Sequence, residues 1–188
     1  TLGELGAPIA GSPAIQAMIE HHALVYADLR DPVALLRGEM TQTSLSKYWG
    51  YAASDAPADL AADRVSAYSE LMSVSQPLVA GEILDAVDFA RHRCLLDVGG
   101  GEGTFLMAAA GKFPALQLRL FDLPAVAQRA ARRFEAANLG ERAQALGGDF
   151  FVDALPRGAD VISVVRVLHD HDDERVHTLL RAIRENKF

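Results

Sequence analysis

Residues 95–105 read LLDVGGGEGTF: an apolar lead-in, the acid Asp97, and glycine at 99, 100, 101 and 103 before Thr104 and Phe105. Four glycines in five positions leave backbone, and not side chains, to meet whatever lies against this turn. Glycine alone takes positive φ without steric cost and admits close approach. An apolar strand, a glycine turn and a helix in succession form a ligand-binding corner at the carboxyl edge of a parallel sheet. Two common fingerprints of such a corner fail on spacing. The dinucleotide pattern G-x-G-x-x-G requires glycine where this chain has Thr104 or Leu106, depending on the starting pair. A Walker phosphate loop ends in Gly-Lys-Ser or Gly-Lys-Thr, and the first lysine after these glycines is Lys112.

Working outward, the chain from Cys94 onward alternates short apolar runs with alanine-rich stretches. CLLDV is followed by a helix to about Phe113, LQLRLFDL by a helix over 125–137, and then come AQALGG and ADVISVVRVL. Strand alternating with helix predicts a parallel sheet covered by helices, an α/β fold. The residues before it read as helical. Ser12 and Pro13 open a helix over 13–29, with Ile15, Met18, Ile19, His22, Val25, Tyr26 and Leu29 along an amphipathic face. A short segment follows at Pro32–Arg37, then an aromatic linker with Tyr48, Trp49, Gly50 and Tyr51, and a long helical stretch from about Asp59 to Val87. The composition shift near residue 92 divides the chain into a helical region, 1–91, and an α/β region, 92–188. Four candidate strands and one trailing helix are fewer than a doubly wound sheet usually has, so further sequence is expected beyond Phe188. TLGELGAPIAG likewise reads as the end of an earlier unit.

The chain has 188 residues, 50% of them hydrophobic, which suffices for one sizeable core. Its formal charge of -7 argues against a nucleic-acid partner. Cys94 is the one cysteine, which excludes a disulfide framework and a cysteine-rich metal site and fits a reducing, cytoplasmic compartment. No apolar run reaches the roughly 18 residues of a membrane span.

Asp97, Gly99, Gly101 and Gly103 form the series acid-x-Gly-x-Gly-x-Gly, which resembles the first motif of class I S-adenosylmethionine-dependent methyltransferases. That cofactor carries an ammonium and a sulfonium and no phosphate, so an acid beside the loop suits it electrostatically. LRLFDLP ends the second strand in Asp122, about twenty residues on, where an acid can accept from both ribose hydroxyls. Asp-Leu-Pro also suits a helix entry. In GGDFF, Asp149 and Phe150 can meet an adenine by hydrogen bond and ring packing, or form a simple turn.

DVGGGEG, FDLP, GGDFF and RVLHDHDDE, in this order, resemble the small-molecule O-methyltransferases of the caffeate and acetylserotonin type, over essentially the whole chain. LRDPVALLRG, YWGYA, AYSELMSVSQPLVA and HDHDD are most similar to the bacterial carotenoid enzymes that methylate the tertiary 1-hydroxyl of demethylspheroidene and hydroxyneurosporene. The resemblance implies a Rossmann-like methyltransferase sheet, truncated at its C-terminus, preceded by helices from the end of a winged-helix dimerisation domain that is mostly absent. It implies S-adenosylmethionine as cofactor, held at Asp97, Gly99, Gly101, Gly103, Asp122, Leu123, Asp149 and Phe150. It places the general base at His169, whose other reading is a capping or surface histidine. Asp170 would orient the imidazole or its loop, while Asp172 and Asp173 cap the next helix. Met72 and Gln76, with Ser75, would line the substrate pocket, or form an ordinary mixed helix face. His21 and His22 have no motif behind them and read as structural.

The implied partners are a small hydrophobic hydroxylated acceptor and a second copy in a homodimer, working near a membrane surface when the acceptor is a carotenoid. A phenolic or polyketide acceptor, or a non-catalytic cofactor-binding dimer, are the alternatives. Two positions depart from the family pattern. His171 stands where relatives carry tryptophan, and Val165 where many carry lysine; strand alternation would turn Arg166 the other way. The acids that flank the base in plant relatives fall beyond Phe188.

Overall fold

The computed structural model describes residues 3–186 except 5, 41, 49–74 and 78. Most of the long helix expected from Asp59, with Met72, lies outside the described residues, as does the aromatic linker from Trp49 to Tyr51. Residues 75–77 and 79–86 are helical. Two compact units divide between Ser75 and Gln76. The composition shift near 92 coincides instead with the start of the first strand.

In the first unit, α1 spans Gly6–Ala10, α2 Pro13–Asp28, α3 Pro32–Leu36 and α4 Ser44–Tyr48. Ser12 caps α2, its hydroxyl accepting from the Ile15 N–H at 3.4 Å, with proline at the first turn, as the sequence predicts. Asp31 caps α3 in the same way. Tyr48 belongs to α4 and not to a linker. The buried Asp28 at the end of α2 accepts from the Ser44 and Leu45 N–H groups, at 2.6 and 2.9 Å, and so supplies α4 with acceptors for its unsatisfied donors. The expected apolar face of α2 is only half covered: Ile15, Met18 and Val25 are half-buried, whereas Ile19 and Tyr26 are 58% and 70% exposed. The described helices packed on α2 are the five-residue α1 and α4, too short to cover a sixteen-residue stripe.

The second unit is a parallel sheet of four strands, β1 Cys94–Val98, β2 Gln117–Asp122, β3 Ala143–Gly147 and β4 Val161–Ser163, in the order β3-β2-β1-β4. Helices α5, Thr104–Lys112, and α6, Pro124–Ala136, carry the crossovers, and α7, Asp173–Glu185, follows β4. Every residue of the central β1 is buried, as its run of apolar residues requires. Leu95, Leu118 and Leu120 pack with Phe105, Ala109, Ala130 and Phe134 in one core cluster. Leu96, Val98 and Phe121 pack with Leu155, Val167 and Leu179 in the other. The chain runs outward from β1 to β3 and then returns to the far side of β1 for β4. The order therefore reverses between β1 and β4, which is where ligands bind in open α/β sheets.

β4 is shorter than ADVISVVRVL suggests. It pairs with β1 over Leu95–Asp97, Ser163 lying opposite Asp97, and β1 ends one residue later where the glycines begin. Without a ladder partner the chain leaves the sheet. Arg166 then takes φ 60, a left-handed conformation no strand accommodates, so the alternation argument does not apply to it.

Candidate ligand site at the carboxyl edge

The loop after β1 starts from the Gly99 N–H, which donates to the Phe121 carbonyl at 2.8 Å and ties the turn to the end of β2. Gly99, Gly101 and Gly103 all have positive φ, at 69, 59 and 79°. At Gly103, the N-cap of α5, a Cβ would sit 2.5 Å from the ring of Phe134, which is 1% exposed in the core. That glycine is a packing requirement between α5 and α6. Gly101 differs: no atom of the described residues lies within 4 Å of where its Cβ would be. The loop thus presents bare backbone to open space at its midpoint.

Two carboxyls stand beside it. Asp97 is buried in β1, its Oδ1 accepting from the Ser163 hydroxyl at 2.6 Å. A Cβ on Gly100 would come within 2.7 Å of Asp97 Oδ2, so this glycine, which the motif leaves unspecified, is there for the acid under it. Burial pushes the Asp97 carboxyl up to about 7, against the Ser163 hydrogen bond, and the nearby charge of Asp122 adds to the rise. Asp122 ends β2. Its Oδ2 accepts from the Gly101 N–H at 2.8 Å and its Oδ1 from the Leu123 N–H at 2.7 Å. Leu123, not Asp122, is the N-cap of α6, and it makes no side-chain cap bond. The helix-entry role considered for Asp122 is therefore not the one it plays. Burial raises its carboxyl to about 6, opposed by those two backbone donors and by the charge of Arg129.

A third acid escaped the sequence argument. Glu102, between Gly101 and Gly103, takes the Arg129 Nε–H on Oε1 at 3.0 Å and the Arg133 Nη1–H on Oε2 at 3.2 Å. Arg133 Nη1 also lies 3.2 Å from Thr104 Oγ1. Arg129 and Arg133 are one helical turn apart on α6, a spacing visible in sequence, but their partner is 27 to 31 residues away and no local pattern announces it.

The segment after β3 contributes rings. Phe150 Cε1 and Val167 Cγ2 lie 3.7 and 2.6 Å from the position a Cβ on Gly99 would take, so both flank the start of the loop. Asp149 accepts from the Phe151 N–H at 2.9 Å, a local turn, while its own N–H donates to Asp153. His171 stands edge-on to Phe150 and Phe151, with centroids 5.9 and 4.9 Å away, and burial lowers its basicity. Beyond β4, His169 falls in a 3-10 turn, Leu168–Asp170, with Nε2 3.2 Å from Asp170 Oδ1. The His169 side chain is 57% exposed and that of Asp170 15%. Asp172 caps α7 by accepting from the Arg175 N–H at 2.8 Å, and Asp173 lies in its first turn. Arg166 Nη1 lies 3.5 Å from Gln76 Oε1. Val165 packs against the apolar core.

This edge offers hydrogen-bond acceptors, negative charge and exposed loop backbone, with an imidazole in the 3-10 turn that follows β4. Residues 26–187 match the family model described as an O-methyltransferase domain. The chain is 46% identical to a demethylspheroidene O-methyltransferase of Cereibacter sphaeroides over 96% of its own length and 47% of the relative's. It is 40% identical to the enzyme of the same name from Rhodobacter capsulatus, over 97% of this chain and 44% of that one. The chain thus spans about half the length of the relatives it matches. Among solved structures, an O-methyltransferase from neocarzinostatin biosynthesis, in complex with S-adenosylmethionine and 2-hydroxy-5-methyl naphthoic acid, superposes with a TM-score of 0.66 at 27% identity. That match covers 95% of this chain and 51% of the other.

Proposed function

Because this chain belongs to the O-methyltransferase family, we propose that it carries the cofactor-binding part of an enzyme that transfers a methyl group from S-adenosylmethionine to a hydroxyl of a small hydrophobic acceptor. The observation that carries this is the loop at Gly101, open among the described residues, lying against the buried Asp97 and the half-buried Asp122. A ligand with ribose hydroxyls and positive charge fits that edge: Asp122 accepts the hydroxyls, Asp97 contributes negative charge from beneath the loop, and Phe150 supplies a ring face. Gly99, Gly101, Gly103, Leu123 and Asp149 complete the cofactor side, within residues 92–188. Met72, which lies outside the described residues, and Gln76 are the residues proposed for the acceptor side.

S-adenosylmethionine, when bound, supplies an electrophilic methyl on a sulfonium. His169 takes the proton of the acceptor hydroxyl. A neutral imidazole that donates its Nε2–H to Asp170 has its lone pair on Nδ1, the atom that would accept the proton. Alignment contributes on the order of 7–11 kcal/mol, and the base about 10²–10⁴-fold.

The acceptor we favour is an acyclic carotenoid with a tertiary hydroxyl, supported by the names of the two bacterial relatives. The family resemblance further supports a homodimer. A carotenoid acceptor would bring the enzyme close to a membrane surface, although no helix among the described residues is long and apolar enough to cross one. Calorimetric titration with S-adenosylhomocysteine and with NAD tests the cofactor: binding of NAD alone would overturn the proposal. Mass spectrometry of incubations with hydroxycarotenoids and phenols, looking for one added methylene, tests the acceptor. Turnover of phenols alone would remove the carotenoid.

A further inference from the structure

Glu102 is the one residue of the 99–103 turn that has a side chain, and both of its oxygens are engaged by arginines of α6. Arg129 also lies close enough to Asp122 for its charge to act on that carboxyl. From this juxtaposition we infer that Arg129 is a positioning residue for the cofactor site, joining the glycine loop to the corner between β2 and α6 while presenting positive charge to Asp122. The inference rests on the cofactor assignment made above.

A turn of four glycines in five residues loses more conformational freedom on ordering than one built of residues with side chains, and a ligand that had to order it would bind correspondingly weakly. This turn is ordered by its own contacts. Asp122 holds the Gly101 N–H, Arg129 and Arg133 hold Glu102, and Arg133 reaches Thr104 at the start of α5. The Glu102, Arg129 and Arg133 side chains are 20%, 29% and 35% exposed, so the pairs are screened less than ion pairs in open solvent.

Charge acts alongside geometry. Asp122 must be ionised to accept from two hydroxyls at full strength. Arg129 from α6 favours its ionisation, while the charge of Asp122 in turn raises the carboxyl of Asp97 on β1; Glu102 partly neutralises Arg129. Removing Arg129 therefore frees the loop and raises the pH at which Asp122 protonates. Removing only the charge of Glu102 frees the loop without that rise.

The test is calorimetric titration of the protein with S-adenosylhomocysteine across the acid-to-neutral range. If the wild type does not bind, the cofactor assignment fails and this inference with it. Given wild-type binding, Arg129→Gln should weaken affinity about tenfold near neutral pH and move the acid midpoint of binding upward. Arg129→Lys, which keeps the charge but not the Nε–H geometry, should bring the midpoint back while leaving affinity below wild type. Glu102→Gln, which leaves the residues of α6 unchanged, should weaken binding with a midpoint that does not rise. Wild-type affinity in Arg129→Gln at every pH would overturn the inference and leave the cofactor assignment standing. So would an equal loss at every pH in the Gln and Lys variants, or an upward midpoint in Glu102→Gln.

Discussion

Asp122 accepts a hydrogen bond from the Gly101 N–H at 2.8 Å, so an acid twenty-one residues downstream fixes the middle of the glycine turn. The same carboxyl is proposed to accept the cofactor's ribose hydroxyls, and its loss removes both functions. Asp122→Ala should weaken S-adenosylhomocysteine binding by roughly one to two orders of magnitude, the worth of a charge-assisted acceptor. Titration calorimetry reads this directly, and an unchanged affinity would take Asp122 out of the site.

Two alanine substitutions in the turn separate packing from binding: Gly103→Ala forces a methyl into the buried ring of Phe134, whereas Gly101→Ala meets no atom of the described residues within 4 Å. Both carry a left-handed penalty of about 1–2 kcal/mol. Gly103→Ala adds overpacking, typically about 1–3 kcal/mol, and should show the larger fall in melting temperature. Gly101→Ala should melt closer to wild type yet bind S-adenosylhomocysteine poorly, because its methyl occupies the space proposed for the ligand. Equal melting losses with binding intact in Gly101→Ala would show that the open side of the loop is not where the cofactor sits.

Asp97 gives a pH dependence whose sign is set by burial. Its carboxyl stands at about 7 in the fold against an ordinary 3.8. A folded value above the unfolded one means that the native state binds the extra proton, so the contribution to stability is fully present below about 3.8 and is lost as pH rises to about 7. Urea unfolding of the wild type and of Asp97→Asn at the two ends of that window tests it. The wild type should lose stability toward neutral pH relative to the variant, by up to roughly 4 kcal/mol at one unit per 1.36 kcal/mol. A constant difference across the window would mean that Asp97 ionises normally. A cationic ligand next to the loop would offset the same penalty.

How much of this could be read from sequence depends on how local the cause is. The corner from Leu95 to Phe105 is dictated by neighbours: apolar residues for a buried strand, glycines for left-handed backbone, then a helix former. Ser12 with Pro13, and Asp172 before α7, are equally local caps, and both helices begin where those residues place them. β4 is shorter than its apolar run because a strand's length depends on its partner, and β1 gives out one residue after Asp97. The Glu102 clamp and the need for Gly100 depend on side chains brought together only by the crossovers. The α2 stripe has helical period, yet period alone says nothing about the length of the helices that come to cover it.

His169 is the group proposed to move a proton, so changing it should separate turnover from binding. It lies in the turn after β4, with Nε2 3.2 Å from Asp170 Oδ1 and more than half of its side chain exposed. His169→Gln keeps polarity and approximate size but cannot act as a base near neutral pH. S-adenosylhomocysteine affinity should stay near wild type while methyl transfer falls by about 10²-fold or more, the lower end of general-base contributions. Asp170→Asn keeps the size of the partner and removes its charge. It should give a smaller fall, about tenfold, because the base remains and only its tautomer and orientation are loosened. A tertiary alcohol is a weaker acid than a phenol, so the His169→Gln loss should be greater with a hydroxycarotenoid than with a phenolic acceptor. Initial rates and binding titrations on the same preparations decide the matter: full turnover in His169→Gln, or joint loss of binding and turnover, would make the residue structural and place the base elsewhere.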